Sequence, residues 1–276
     1  MRTAAGIGDN CIDDYVNIGR RYPTGNVVDT GVNMAKLGIP VSIISTTGSD
    51  ENGRWMIDAL TKEGLELSHF KVAEGATAIT YMTLDENDRV HGEYEEGVLE
   101  NIVFDDEDIR FAAEHDLVFT AFWGKAENVM GKIHDLGALT AFDYATTDDE
   151  RLPAMLATTR GAIDYGFFSY KGIGRKDDEE PRAFLRDKVE NHGMKVAVAT
   201  FGEEGSLAFD GARFYECGIY PQPEVVNTVG AGDSFIAGFL AGVLQGKDIP
   251  ACLDQGARVA SEVVGVFEPW VSNGAS

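Results

Sequence analysis

The stretch VNTVGAGDSFIAGF, from Val226 to Phe239, decides how the rest of the chain is read. Gly230-Ala231-Gly232-Asp233 stands directly before the helical run Ser234–Leu244. Two glycines let a backbone come close to a ligand. Amides at a helix start, with the helix dipole behind them, favour an anion. A carboxylate is out of place in a loop that does no more than bind phosphate. Asp233 makes sense there as the group that takes a proton from a hydroxyl while the amides stabilise charge on the group in transfer. That is the arrangement for phosphoryl transfer to an alcohol. On spacing alone a second reading stands beside it, because acidic residues are common in a first helical turn.

Competing glycine patterns fail. A dinucleotide fingerprint starting at Gly230 needs Gly at 235, where Phe235 stands, and Gly6-x-Gly8 runs on to Cys11. Gly242…Gly246-Lys247 lacks both the spacing and the Ser/Thr of a P-loop. A P-loop kinase is excluded, and a nicotinamide oxidoreductase is disfavoured.

Outward from this stretch, short apolar runs alternate with amphipathic ones. Strands are expected at Ala4–Gly8, Val41–Thr46, Leu117–Ala121, Leu139–Asp143, Ile163–Phe168 and Val196–Thr200. Helices are expected at Gly31–Leu37, at Asn52–Glu63 with Asn52 as N-cap, near 125–136 and 178–191, and over about 250–265. Strand–helix–strand repetition implies parallel strands with crossover helices, an α/β layer fold. Two segments break the rhythm. Thr77–Leu84 and Arg89–Glu95 read as a hairpin, a small β flap, with Arg89 and Glu93 on one face and Tyr94 on the other. Ser206–Asp210 and Ala212–Cys217 read as a second hairpin.

The net charge of −23 argues against gripping nucleic acid or an anionic membrane, since phosphate contacts need Lys and Arg. No apolar run approaches the roughly 20 residues of a spanning helix, and no signal peptide is visible at the start. Three well-separated cysteines and no HExxH point to a reducing, cytoplasmic setting without a protein-built zinc site.

The 226–239 stretch resembles the DTxGAGDxF signature of the ribokinase-like (PfkB) sugar kinases. Thr24-Gly25-Asn26-Val27-Val28-Asp29, followed by Ala35-Lys36-Leu37-Gly38, is similar to that family's GGxxxN…ARLG segment. Asp13 sits where the family places a sugar-hydroxyl acceptor, and Phe201–Gly205 resembles its LGxxG turn beside the nucleotide. The matches keep the family's order and span essentially the whole chain. GDNCID (8–13), NDRVHGEYEEGV (87–98), FWGKAEN (122–128), LTAFD (139–143) and GAGDSFIAGFL (230–240) are similar to its fructoselysine 6-kinase branch, which phosphorylates sugar–amino acid Amadori adducts.

The resemblance implies a single ribokinase-like domain over 1–276, a mainly parallel sheet flanked by helices, with a small β lid from segments about 10–23 and 76–100. It implies ATP and Mg2+, with Asp233 as base and Gly230, Ala231 and Gly232 around the group in transfer. Thr200, Gly202, Gly205 and Asn227 fall beside the nucleotide. Asp13, Gly25, Asn26, Asp29, Arg89, Glu93 and Trp123 fall beside a sugar or sugar-amine substrate. Asp29 replaces the family's Asn: it either accepts sugar hydroxyls or pairs with an ammonium. Trp123 packs against the sugar or caps the core, and Asp143 ends a strand at the same edge. Asn227 replaces the Asp that helps hold a monovalent cation, so K+ binding does not carry over. The NxxE expected near Ser169–Gly172 is absent, leaving Asp177–Glu180 or a plain helix start. Lys171, Arg175 and Lys176 form a small basic island that either offsets phosphate charge or is surface. A homodimer through the lid is compatible with the family. The alternatives are a fructokinase or other sugar or nucleoside kinase of this family, and an inactive sugar- or nucleotide-binding regulator.

Overall fold

Apolar side chains on both faces of the same short runs build the main sheet, as strands covered on two sides require. Ala4 and Ala5, Ile43 and Ile44, and Phe167 and Phe168 each send alternate side chains into two separate cores. The computed structural model describes residues 1–85, 88–170 and 177–271, the side chains at 88 and 89 apart. In chain order it runs β1 (Ala4–Ile7), β2 (Cys11–Tyr15), β3 (Arg20–Thr24), α1 (Asn26–Lys36), β4 (Val41–Gly48), α2 (Glu51–Lys62) and β5 (Phe70–Ala73). The middle is β6 (Ile79–Asp85), β7 (Asp88–Glu95), α3 (Asp106–Ala113), β8 (Leu117–Ala121), α4 (Glu127–Asp135), β9 (Leu139–Thr146) and α5 (Leu152–Thr158). The last part is β10 (Tyr165–Ser169), α6 (Glu179–Glu190), β11 (Val196–Thr200), β12 (Ser206–Phe209), β13 (Phe214–Cys217), α7 (Ala231–Leu244) and α8 (Ile249–Val263).

Among the described residues the main sheet has the order β13-β12-β11-β10-β9-β8-β1-β4-β5. It is parallel from β11 to β5, and β12 and β13 turn antiparallel at one edge. Helices α1, α2, α7 and α8 cover one face, and α3, α4, α5 and α6 the other. This is the ribokinase-like α/β architecture. The chain leaves β1 for β4 on one side and later returns to β8 on the other. The crevice at the carboxyl ends of β1 and β8 is therefore the switch point where open parallel sheets bind ligands.

The lid is a second sheet in the order β3-β2-β6-β7, with β2 and β6 parallel and two antiparallel hairpin pairs outside them. Asp50 pins its entry, accepting from the Thr77 N–H at 3.0 Å and the Thr77 hydroxyl at 2.6 Å. A third core of Tyr15, Tyr22, Met82, Val229 and Phe267 joins lid to body. No helix among the described residues is long and apolar enough to cross a membrane.

Several boundaries differ from the expectation. Asp50, not Asn52, caps α2, its carboxylate accepting from the Gly53 N–H at 2.9 Å. Helix α1 begins at Asn26 rather than near Gly31, which places Asn26 and Asp29 on the helix itself. A bulge in β7 corrects the face assignment. Tyr94 lies opposite Thr80 and His91 opposite Met82, so one extra residue of β7 lies between them and the simple alternation through Glu93 is broken.

Candidate active site

The heads of α1 and α7 meet in the crevice. Helix α1 starts after Gly25 at φ 137°, where a side chain is strained, and a Cβ there would meet the Asn10 Cα at 2.8 Å. Glycine cannot cap with a side chain, so the cap comes from elsewhere. Asp9, just past β1, accepts from the Asn26 N–H at 2.8 Å and the Val27 N–H at 3.4 Å. With its backbone fixed, Asn26 donates Nδ2 to Asp233 Oδ1 at 3.0 Å. Asn33, two turns on, donates to the Ser234 hydroxyl at 3.1 Å and the Pro269 carbonyl at 3.2 Å. Expected site residues 207 positions apart, Asn26 and Asp233, thus touch through one bond.

Carboxyls crowd this floor. Asp9, Asp13, Asp29 and Asp233 are all buried. Thr24 donates its hydroxyl to Asp29 Oδ2 at 2.7 Å, while Asp29 Oδ1 and Asn10 Oδ1 are buried without a hydrogen-bond partner. Orphaned acceptors at a crevice mark where ligand donors belong. Burial, then the neighbouring Asp233, push the Asp29 carboxyl well above the ordinary range. Burial, again followed by Asp233, raises Asp143 to about 7 against a bonded Ala145 amide that lowers it. Burial also raises Asp9, although its backbone bonds oppose the shift.

The lid closes one side. On β2, Asp13 pairs in register with Tyr22 and Thr80, and the Cys11 thiol lies 3.9 Å from Asp13 Oδ1. Tyr94 faces this floor: burial, then Cys11 and Asp9, push its hydroxyl up. Glu93 is exposed and acts, with Glu95, on Tyr81 instead. The Arg89 side chain lies outside the described residues, as do Lys171, Arg175 and Lys176. Trp123 is 46% exposed, edge-on to Tyr94 with centroids 6.3 Å apart, and the Arg151 guanidinium carbon lies 4.3 Å above its ring. It lines the rim with Tyr94 rather than sealing the core.

On the other side, Gly230 at φ 73° turns the chain into α7, packed so that a Cβ would meet Pro269 at 2.9 Å. Gly232 is the opposite case: it is exposed, and a Cβ there would meet nothing within 4 Å. That open cradle at a helix start fits a phosphoryl group. The Ala231 N–H is partly committed, donating to the Thr228 carbonyl at 3.4 Å. Thr200 ends β11, and Phe201–Gly205 closes a tight turn there, the Phe201 N–H donating to the Gly205 carbonyl at 2.8 Å. Among the described residues no group of three or more His, Cys, Asp or Glu is arranged to hold a metal ion. Asp178 stands at the N-cap of α6, without a side-chain cap bond, and Glu179 and Glu180 lie in its first turn. Asn227 does not fit a monovalent cation, because its Nδ2 is a donor aimed at the Phe267 carbonyl. Sequence reasoning passed over Asn10, Thr24 and the capping role of Asp9; GDN at 8–10 carried the signal, but their partners lie far along the chain.

The chain is similar to known proteins along nearly its whole length. The model of the "pfkB family carbohydrate kinase" matches residues 171–271. The fructoselysine 6-kinase of Escherichia coli is 36% identical over 98% of this chain and its own entire length. The fructosamine kinase FrlD of Bacillus subtilis is 29% identical over 95% of this chain and 90% of its own. An adenosine kinase structure from Sinorhizobium meliloti superposes with a TM-score of 0.83 at 19% identity, covering 98% of this chain and 96% of that one. The Arabidopsis thaliana ribokinase complexed with ribose and ATP gives 0.80 at 19% identity, covering 97% and 94%. A relative this similar from end to end, and a family model matched across the segment that holds the glycine turn and Asp233, make the conclusion direct: this chain belongs to the pfkB family of carbohydrate kinases.

Proposed function

We propose that the protein is an ATP-dependent kinase that phosphorylates a primary hydroxyl of a fructosamine, a sugar joined to an amino acid through nitrogen. One observation carries the site assignment: Asn26 at the head of α1 holds Asp233 at the head of α7, 3.0 Å apart. The sugar lies between Asp13, Gly25, Asn26, Asp29 and the lid, with Tyr94 and Trp123 at the rim. Its attacking hydroxyl gives its proton to Asp233. The new bond forms from that oxygen to the γ-phosphorus of ATP, the bond to the β–γ bridging oxygen breaks, and ADP leaves. Backbone N–H groups at the head of α7, above the open Gly232, stabilise charge on the phosphoryl group as it passes. The adenine end lies beside Thr200 and the 202–205 turn. A magnesium ion bound to the nucleotide's phosphates would supply charge neutralisation there.

The similarity to the fructoselysine 6-kinase and to FrlD supports the substrate. So does the acidic floor, since a fructosamine carries an ammonium next to its sugar. The test is ADP release with MgATP against fructoselysine, other fructosamines, fructose, ribose and adenosine. Turnover highest on the amine-bearing sugars is the expected result. Turnover on fructose, ribose or adenosine alone would overturn the substrate, and no turnover with ATP still bound would favour a substrate outside this panel or a binding protein.

A further inference from the structure

Asn227 is completely buried, and both ends of its amide are in use. Nδ2 donates to the Phe267 carbonyl at 2.9 Å and reaches the Tyr15 hydroxyl at 3.5 Å. Oδ1 accepts from the Val229 N–H at 3.1 Å. One side chain therefore ties together three parts of the chain. The first is the loop that turns through Gly230 into α7. The second is the segment after α8, which already holds that loop: Val226 N–H donates to the Val264 carbonyl at 2.8 Å, and Pro269 lies against Gly230. The third is lid strand β2, which carries Asp13 two residues before Tyr15. The Tyr15 and Tyr22 hydroxyls lie 3.0 Å apart, and the Tyr15 and Phe267 rings pack edge-on at 5.1 Å, so the join is closed to water.

The chemistry of the join needs a donor and an acceptor on one group. A carboxylate at 227 would still accept from Val229. It would set a second acceptor against the Phe267 carbonyl, and two buried oxygens at that distance repel unless a cation lies between them. We infer that Asn227 is a positioning residue whose own N–H does the work a bound monovalent cation would do between two oxygens, linking the sugar lid to the phosphoryl-binding loop and making this enzyme indifferent to K+. The kinetic part rests on the phosphoryl-transfer reading. The structural part does not.

The experiment compares the parent with Asn227→Asp in KCl, NaCl and choline chloride at equal ionic strength, reading melting temperature without ligands and kcat and KM with MgATP and fructoselysine. The parent is expected to keep the same melting temperature in all three salts and a kcat within about twofold. Asn227→Asp is expected to lose roughly tenfold or more in kcat in choline, with a smaller change in KM. K+ should then restore much of that kcat and raise the variant's melting temperature, a cation-specific rescue that a general packing defect would not show. A parent that loses activity or stability in choline overturns the inference, and this arm stands even if the variant does not fold. A folded Asn227→Asp that melts and turns over like the parent in every salt also overturns it. If neither protein turns over fructoselysine, the substrate reading fails while the melting data still decide the role of Asn227.

Discussion

The role proposed for Asp233 rests on what surrounds it. It is buried at a helix head, Asn26 donates to one of its oxygens, and Thr30 donates to its carbonyl at 3.4 Å. Asp233→Asn preserves size and the Oδ1 acceptor, but the new amide cannot take a proton. A positioned base is worth about 10²–10⁴ in rate. The expected outcome is a kcat at least about 10²-fold lower with ATP affinity unchanged within a few-fold, measured by steady-state kinetics and nucleotide titration. Survival of activity within a few-fold would remove Asp233 as the base. At this scale the turn into α7 was legible because its residues are consecutive: two glycines, a carboxylate and a helix start. Asp9 and Asn10 were not, because their meaning lies in partners met only after folding. Asp9 accepts amides 17 and 18 residues away, and Asn10 donates to Ser45 35 residues away. Thr24 likewise gains its meaning only in the fold, where its hydroxyl donates to Asp29.

At the head of α7, two neighbouring glycines do different work, and substitution should separate them. Gly230 holds φ 73° with Pro269 behind it, so Gly230→Ala meets both backbone strain and a clash. Gly232 is exposed with space beside it, so an added methyl meets no protein atom and would take up room in the proposed phosphoryl cradle. Gly232→Ala should therefore melt within about 1 °C of the parent, a small cost for a surface change, while weakening turnover or raising KM for ATP. Gly230→Ala should lower the melting temperature by several degrees, consistent with about 1–3 kcal/mol of strain. Paired thermal melts and ATP kinetics check both; equal melting losses would refute the division. Among elements, the long parallel strands were readable because both faces are apolar, as in Leu117–Ala121 and Val196–Thr200, both found as expected. Strands β2 and β3 were harder to read: CIDDY and RRYPT carry charges and gain their apolar partners from the lid core. Helix α3 was missed although Asp105 and Asp108 form a capping box at its start. The β7 bulge was invisible for a plainer reason, since a strict period of two cannot announce the residue that breaks it.

Across the whole molecule, two sources of negative charge act in the same direction with pH but answer differently to salt. One is the net charge of −23, spread largely over the surface. Its self-repulsion is screened, with a Debye length of about 8 Å at physiological ionic strength. The other is the buried floor, which added salt reaches poorly. There, burial and then Asp233 raise Asp143 from 3.8 to about 7, and burial raises Asp9 and Asp29 as well. A carboxyl whose folded pKa lies above its unfolded value favours folding in its protonated form. Its contribution is complete below about 3.8 and is lost as pH rises through about 7. Within that window one such group carries a slope of about 1.4 kcal/mol per pH unit. The ligand-free protein should therefore melt at progressively lower temperature from about pH 5 to pH 8, and about 0.5 M salt should lessen the trend without abolishing it. Asp143→Asn removes one titrating group, itself half-buried, and leaves the rest of the surface unchanged. In high salt its melting profile should be flatter than the parent's between about pH 5 and 7, by close to one proton taken up per folded molecule. A parent profile already flat in high salt would assign the pH dependence to the surface. A variant profile parallel to the parent's would mean that Asp143 does not titrate in this window.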